Sequence, residues 1–382
     1  MLRITIWMNM PSVHQEGIFS ILAGMEGVDL EVIFAEGLTS DRVQLGWKAN
    51  LRGYRYRILA GKFSLLQALR VAWSERDRIH VVNGIWAEPA FASALCMLVA
   101  SGSAFAIYSE APDPSQPISR LKRAMRGTFG KWVARRAAGV LAVSHFATDF
   151  YTRLGAPRER FYPFGYFRAS ADSRPGPAFS LPPQRTEVIF VGQLIRRKGL
   201  DILLAAMRPL FAQYPDLHLT IVGAGEDFAA LQAFVGRSGD EERVTLLGVL
   251  PAEQIPARVS DAQVLVLPSR WDGWGMVVNE ALSAGVPAIV SDRCGAADLI
   301  RHGINGYVFR SEDVDDLRRC LRDFLDGGPD RLRAAVAATG RAITAEVAAR
   351  YMIECMNHMV GARRERPVPP WAQAPSSMGA DH

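Results

Sequence analysis

Two carboxylates, Asp272 and Glu280, stand eight positions apart on either side of a Gly273-Trp274-Gly275 turn. Before them runs Ala262-Gln-Val-Leu-Val-Leu267, short and apolar as a buried parallel strand is, and after them helical spacing continues with no proline until Pro287. The glycines therefore fall where a strand hands over to a helix. A helix start offers unpaired N–H groups and the positive end of a dipole, which together attract a phosphate. Glu280, more than a turn into the helix, would then reach a hydroxyl-rich part of the same ligand. The segment reads as a site for a sugar nucleotide.

A second stretch, Val188 to Ala206, reads as a strand, a loop with Arg196, Arg197 and Lys198, and a helix. Leu219 to Asp227 carries Gly223-Ala-Gly225, Val244 to Gly248 is another strand-like run, and Cys294 to Phe309 closes the series. A lone Gly-x-Gly is common in any strand-to-helix turn, so the order of the segments is what is specific. In that order, over most of its length, the chain resembles glycosyltransferase family 4. These are retaining enzymes of α/β, GT-B architecture: two facing Rossmann-like domains with parallel sheets.

The resemblance assigns roles. Asp272 stands at the first acid of the family's pair, usually a Glu, and would hold hydroxyls of the donor sugar near the reacting carbon. Glu280 is the second acid and would accept hydrogen bonds from the ribose. Peptide N–H groups around Gly273, Trp274 and Gly275 would face the sugar or its diphosphate. The family usually carries Arg after Gly192 and Lys before the next glycine. Lys198 fills the second place, but Gln193 fills the first, which leaves Arg196 or Arg197 to compensate. A positioned cation stabilises a departing diphosphate more in the transition state than before it; Gln can donate a hydrogen bond but cannot neutralise charge.

Three further strand ends carry polar residues. Met10 to Gly17 occupies the place of a Gly-rich loop that approaches the donor in relatives, with Gly17 its one glycine. There His14, Gln15 and Glu16 are either cleft residues or a plain turn with a helix start. Glu110 stands where many relatives have a His and is the candidate acceptor base, with helix capping or a structural role as the alternative. His145 either borders the cleft or is a packed or solvated histidine.

The elements that must position these residues alternate. Strand-like runs at Ile4 to Trp7, Val28 to Ala35, His80 to Val82, Ala104 to Tyr108 and Val140 to Val143 are separated by helix-length segments, as in a parallel sheet. The expected division is a Rossmann-like acceptor-side domain over 1–168, a Pro/Ser-rich linker over 169–186, and a donor-side domain over 187–341. A helix over 342–362 is expected to cross back to the first domain, before a disordered tail over 363–382. With 382 residues, 49% of them hydrophobic, the chain is too long for one core.

Composition excludes several classes. Four dispersed cysteines argue against a disulfide framework or zinc site and for a reducing compartment. The apolar stretch Pro89 to Tyr108 is split by Ser101-Gly-Ser103, as a buried helix and strand would be. No secretory signal opens the chain, so an enzyme of the cytoplasm, free or at the inner face of the membrane, is expected. The net charge of +5 comes without a nucleic-acid motif. Ser119 to Arg136 interleaves seven cations with Leu121, Met125, Phe129 and Trp132, a pattern that fits either contact with an anionic membrane or a solvated helix face. With no Asp-x-Asp pair at a strand end, neither metal nor cofactor is expected. The expected partners are a nucleotide-sugar donor and a saccharide or lipid-linked acceptor. A catalytically silent nucleotide-sugar-binding subunit and a nucleotide-sugar epimerase are the alternatives.

Overall fold

The computed structural model describes residues 1–12, 15–38, 51–59, 61–86, 88–167 and 185–373. The expected linker lies outside the described residues as far as 184, and Thr186 already opens a strand. His14 also lies outside them.

The chain forms two compact units. The first, Met1–Ala169 with Ala345–Pro369, holds seven parallel strands: β1 (Leu2–Met8), β2 (Val28–Phe34), β3 (Arg55–Ile58), β4 (Ile79–Asn83), β5 (Phe105–Ser109), β6 (Gly139–Val143) and β7 (Phe161–Phe164). Their order is β3-β2-β1-β4-β5-β6-β7, which reverses direction along the chain between β1 and β4. The central strands are continuous apolar runs because helices cover both faces, and β6 is buried along its whole length. β3 is an edge strand, and all four of its residues are exposed. There Arg57 pairs with Glu31 of β2 at 2.7 Å and with Glu75 at 2.8 Å, so the edge is charged rather than apolar.

The apolar stretch from Pro89 resolves into the helix Pro89–Ser101 and β5, divided at Gly102, whose φ of 69° ends the helix in the left-handed region. Among the described residues no helix is long and apolar enough to cross a membrane.

Under β1 and β4 the unit encloses a histidine. Trp7 Nε1 donates to His80 Nδ1 at 3.0 Å, so Nε2 carries the proton and donates to Glu75 O at 3.0 Å. Burial lowers the His80 pKa to about 4, with the Glu75 carbonyl opposing part of that shift. The folded value lies below the unfolded one, near 6.5, so the unfolded chain takes up the proton first as pH falls. This stabilisation is whole above about pH 6.5 and is lost toward pH 4, at up to about 1.4 kcal/mol per pH unit. The urea midpoint should therefore fall across that window, and His80→Gln should flatten the slope. Equal slopes in the two proteins would refute the assignment.

The second unit, Ser170–Thr344 with Pro370–His382, holds six parallel strands: β8 (Thr186–Val191), β9 (Leu217–Val222), β10 (Val244–Gly248), β11 (Val264–Leu267), β12 (Ala288–Ser291) and β13 (Gly306–Phe309). The order is β10-β9-β8-β11-β12-β13. Val264 pairs with Val188 and Leu265 with Ile189, so β8 and β11 lie side by side where the order reverses. β11 is wholly buried, each of its side chains contributing about 1.5–3 kcal/mol of transfer free energy.

Helix Ala345–Met359 belongs to the first unit, where Tyr351, Met352, Cys355 and Met356 are buried. Tyr351 stacks on Phe164 with ring centroids 6.0 Å apart, and the Tyr162 hydroxyl lies 2.6 Å from His358 Nδ1. The expectation of a disordered tail from 363 needs correction. Arg366 donates to Phe161 O, and Trp371, in the short helix Pro370–Gln373, is 9% exposed. A guanidinium binding a strand carbonyl and an indole leaving water hold this segment. Residues 374–382 lie outside the described residues.

Candidate functional site

The second unit gathers the main candidates where β8 and β11 end. Past β8 the chain keeps pairing with the continuation of β9: Gly192 N donates to Val222 O at 3.0 Å and Leu194 N to Ala224 O at 2.9 Å. This close approach requires glycine. A Cβ on Gly223, at φ +138°, would lie 1.8 Å from Gly192 O, and one on Gly225 would lie 2.2 Å from Leu194 O. One turn of 3₁₀ helix, Arg196–Lys198, then ends at Gly199 with φ +71°, where a Cβ would meet Pro268 O at 2.1 Å. The Lys198 loop is thereby pressed against the end of β11.

Lys198 Nζ lies 2.5 Å from Asp272 Oδ2, each side chain 13% exposed. The Asp272 backbone is fixed in turn: its N donates to Arg293 O and its O accepts from Gly295 N, both at 2.9 Å. Beside it helix Met276–Ser283 starts at Gly275, φ +96°, with no side chain capping it, so its first amides lack a side-chain acceptor. Gly275 is packed tightly, a Cβ there meeting Cys294 Sγ at 2.8 Å. Burial, and then the Asp272 carboxylate, push the Cys294 thiol well above its usual range, and it donates to Trp274 O at 3.0 Å. Cys294 is thus a packed thiol that fastens the turn. Glu280 is half-buried, one turn along the same helix.

Three of the expected residues also have structural partners. The Trp274 indole is 3% exposed and donates to Asn279 Oδ1 at 2.7 Å. It braces the turn from inside, because a large ring with one donor finds an acceptor five residues on. Arg197 donates to Trp271 O at 2.8 Å, fastening the acidic loop. Arg196 lines a separate cavity of about 480 Å³ with Leu200, Asp201, Phe234 and Arg237. Gln193 is exposed and Gly273 half-buried.

In the first unit Gly17 lies in the first turn of helix Glu16–Gly24. Gln15, at the N-cap of this helix, is buried, and the Tyr108 hydroxyl of β5 donates to Gly165 O at 3.1 Å. Glu110 follows β5 and hydrogen-bonds the Tyr166 hydroxyl, whose pKa burial and the carboxylate hold well above normal. Glu110 is therefore oriented by a phenol. His145 is exposed.

Ser144 was passed over in favour of His145. It joins β6 to helix Ser144–Arg153 with φ +73° and a buried Oγ that has no hydrogen-bond partner among the described residues. Such strain in a non-glycine residue concentrates at functional sites. The sequence signal for it was only a small polar residue at the end of an apolar strand.

Residues 177–341 match the family model for glycosyl transferases group 1. The GDP-mannose-dependent alpha-(1-6)-phosphatidylinositol monomannoside mannosyltransferase of Mycolicibacterium smegmatis is 32% identical over 49% of this chain and 49% of its own. The alpha-D-kanosaminyltransferase of Streptomyces kanamyceticus is 29% identical over 55% of this chain and 58% of its own. The matched stretch thus spans about half the length of these curated relatives. Among solved structures, Anabaena HepE in complex with UDP superposes with a TM-score of 0.70 at 15% identity, over 94% of this chain and 100% of that one. Over residues 177–341 the chain is thus similar to the group 1 glycosyltransferases, and its two parallel-sheet Rossmann-like domains have the GT-B fold.

Proposed function

We propose that the chain moves a sugar from a nucleotide-diphosphate donor to a hydroxyl of a saccharide or lipid-linked acceptor, with retention of configuration, in polysaccharide or glycolipid assembly. The observation that carries this reading is the Lys198–Asp272 pair, held where the strand order of the donor-side sheet reverses, beside an uncapped helix start. Ligands of doubly wound sheets bind outside the carboxyl ends of the strands at that reversal. A donor phosphate would take the place of the Asp272 carboxylate on Lys198. Asp272, released, would accept from a hydroxyl of the sugar. The bond from the anomeric carbon to the phosphate oxygen breaks, the acceptor oxygen bonds that carbon on the same face, and the acceptor proton passes to a leaving-phosphate oxygen. Lys198 and the helix amides would stabilise the charge that gathers there, a role a metal takes in other enzymes. Glu110, steadied by Tyr166, is the proposed acceptor-side carboxylate: it would accept a hydrogen bond from the acceptor hydroxyl and assist as base while the proton passes on to the leaving phosphate.

Transfer assayed with EDTA present, and the product anomer read by NMR, test this reading. An inverted anomeric centre would overturn it. Gln193, exposed where the family has Arg, favours a second reading as a silent binding subunit. Tight nucleotide binding with neither hydrolysis nor transfer would support that instead.

Glu280→Ala should weaken nucleoside diphosphate binding by roughly ten- to a hundredfold, the loss of charge-assisted hydrogen bonds to a ribose. Titration calorimetry checks it, and an unchanged Kd would remove Glu280 from the site.

A further inference from the structure

We propose that helix Arg120–Ala134 is a docking face for an anionic lipid bilayer. The proposal goes beyond the transfer reaction and does not depend on it. The helix carries Arg120, Lys122, Arg123, Arg126 and Lys131 and no acid, so this one element holds as much formal charge as the +5 of the whole chain. Arg135 and Arg136 follow directly. Several cations elsewhere are paired, as Arg270 is with Asp201 and Glu312 and Arg57 with Glu31 and Glu75. Among the described residues none of these seven is in an ion pair.

The apolar residues are placed as unusually. Leu121, Met125, Phe129 and Trp132 follow helical spacing, yet Leu121 is 72% and Met125 66% exposed. Every residue from Ser119 to Met125 is exposed, and only Gly130, Val133 and Ala134 of the helix are buried. Gly130 fixes that buried end, a Cβ there meeting the Trp86 ring at 2.4 Å. The stripe borders an open groove of about 660 Å³ lined by Ala124, Met125, Thr128, Phe129 and Trp132. Ser119 caps the helix by accepting from Lys122 N at 3.2 Å, so its first turn is formed rather than frayed.

A formed helix whose exposed end mixes two large apolar side chains with unpaired cations complements a surface that offers hydrocarbon beneath phosphate. Apolar side chains enter the headgroup boundary, while the cations are drawn to anionic lipid over about a Debye length. Nucleic acid would satisfy the cations alone, and a folded protein partner would more often present both signs of charge to be matched.

The full chain is co-sedimented with phosphatidylcholine vesicles and with vesicles containing phosphatidylglycerol, at low and high salt. Binding should be about tenfold or more tighter on the anionic vesicles and weaken with salt. Lys122→Glu with Arg123→Glu should cut it by about tenfold or more, and Leu121→Ser with Met125→Ser severalfold, with thermal unfolding unchanged because all four residues are exposed. Equal binding to both vesicles, no binding, or full binding by both variants would overturn the proposal. So would a dimer broken by Leu121→Ser with Met125→Ser while vesicle binding persists, or tighter capture by single-stranded RNA.

Discussion

Lys198→Met is expected to lower sugar transfer by about a hundred- to a thousandfold, the effect of removing one preorganised charge stabiliser from a transition state. The substitution keeps the length and apolar stem of the side chain and removes the ammonium that lies 2.5 Å from Asp272. Two effects follow and must be separated. Asp272 loses its partner in a site where only 13% of its side chain meets water, which lowers stability by an amount that this residual exposure moderates. In the proposed mechanism the departing diphosphate would also lose the Lys198 ammonium, which would lower kcat. Adding Asp272→Asn to Lys198→Met relieves the first effect and leaves the second. Melting temperature should therefore recover in the double variant while turnover stays low. Turnover within threefold of the wild type in Lys198→Met would remove the cation from the mechanism.

The second large effect concerns the backbone beneath that site. Gly223→Ala places a methyl 1.8 Å from Gly192 O at φ +138°, a contact between two main chains that no rotamer change can relieve. Strain of about 1–2 kcal/mol from the backbone conformation adds to the displacement of the Gly192 strand end, for roughly 3–5 kcal/mol in all. At about 2–4 °C per kcal/mol for a unit of this size, the melting temperature should fall by about 10 °C. Gly239→Ala is the control: its φ is +70°, yet a Cβ there meets nothing within 4 Å, so conformational strain alone applies. Equal losses in the two variants would show that the contact between Gly192 and Gly223 is not what holds these loops together.

The turn at Gly273 to Gly275 was legible because its flanks obey different periods: a continuous apolar run that only a buried parallel strand needs, then helical spacing. The direction in which its side chains point was not. Spacing makes Trp274 a turn residue but does not reveal that Asn279 waits inside for its indole N–H. Charge makes Arg197 a candidate clamp but does not reveal the Trp271 carbonyl that engages it. Both contacts are tertiary, and local sequence carries no record of them.

Edge elements were missed for a related reason. β3 is Arg-Tyr-Arg-Ile, exposed throughout, and β7 contains Pro163, which an inner strand could not accommodate. Neither shows the apolar run that marks a central strand. The segment after residue 363 looked like a tail because four prolines suppress any period, yet Arg366 and Trp371 are held by groups far away in sequence.

Residues 345–369 count among the first unit's own contacts, although the whole of the second unit's sheet is synthesised before them. On the ribosome, the body whose chain emerges first is therefore still incomplete when every strand of the second has been made. Until Ala345–Met359 clears the exit tunnel, Phe164 lacks the Tyr351 ring it stacks on, and the nascent first half carries an apolar face open to misassembly or to chaperones. An expression fragment that stops at residue 169 would inherit the same unfinished surface, whereas one that fuses residues 345–369 to it would carry its own closure.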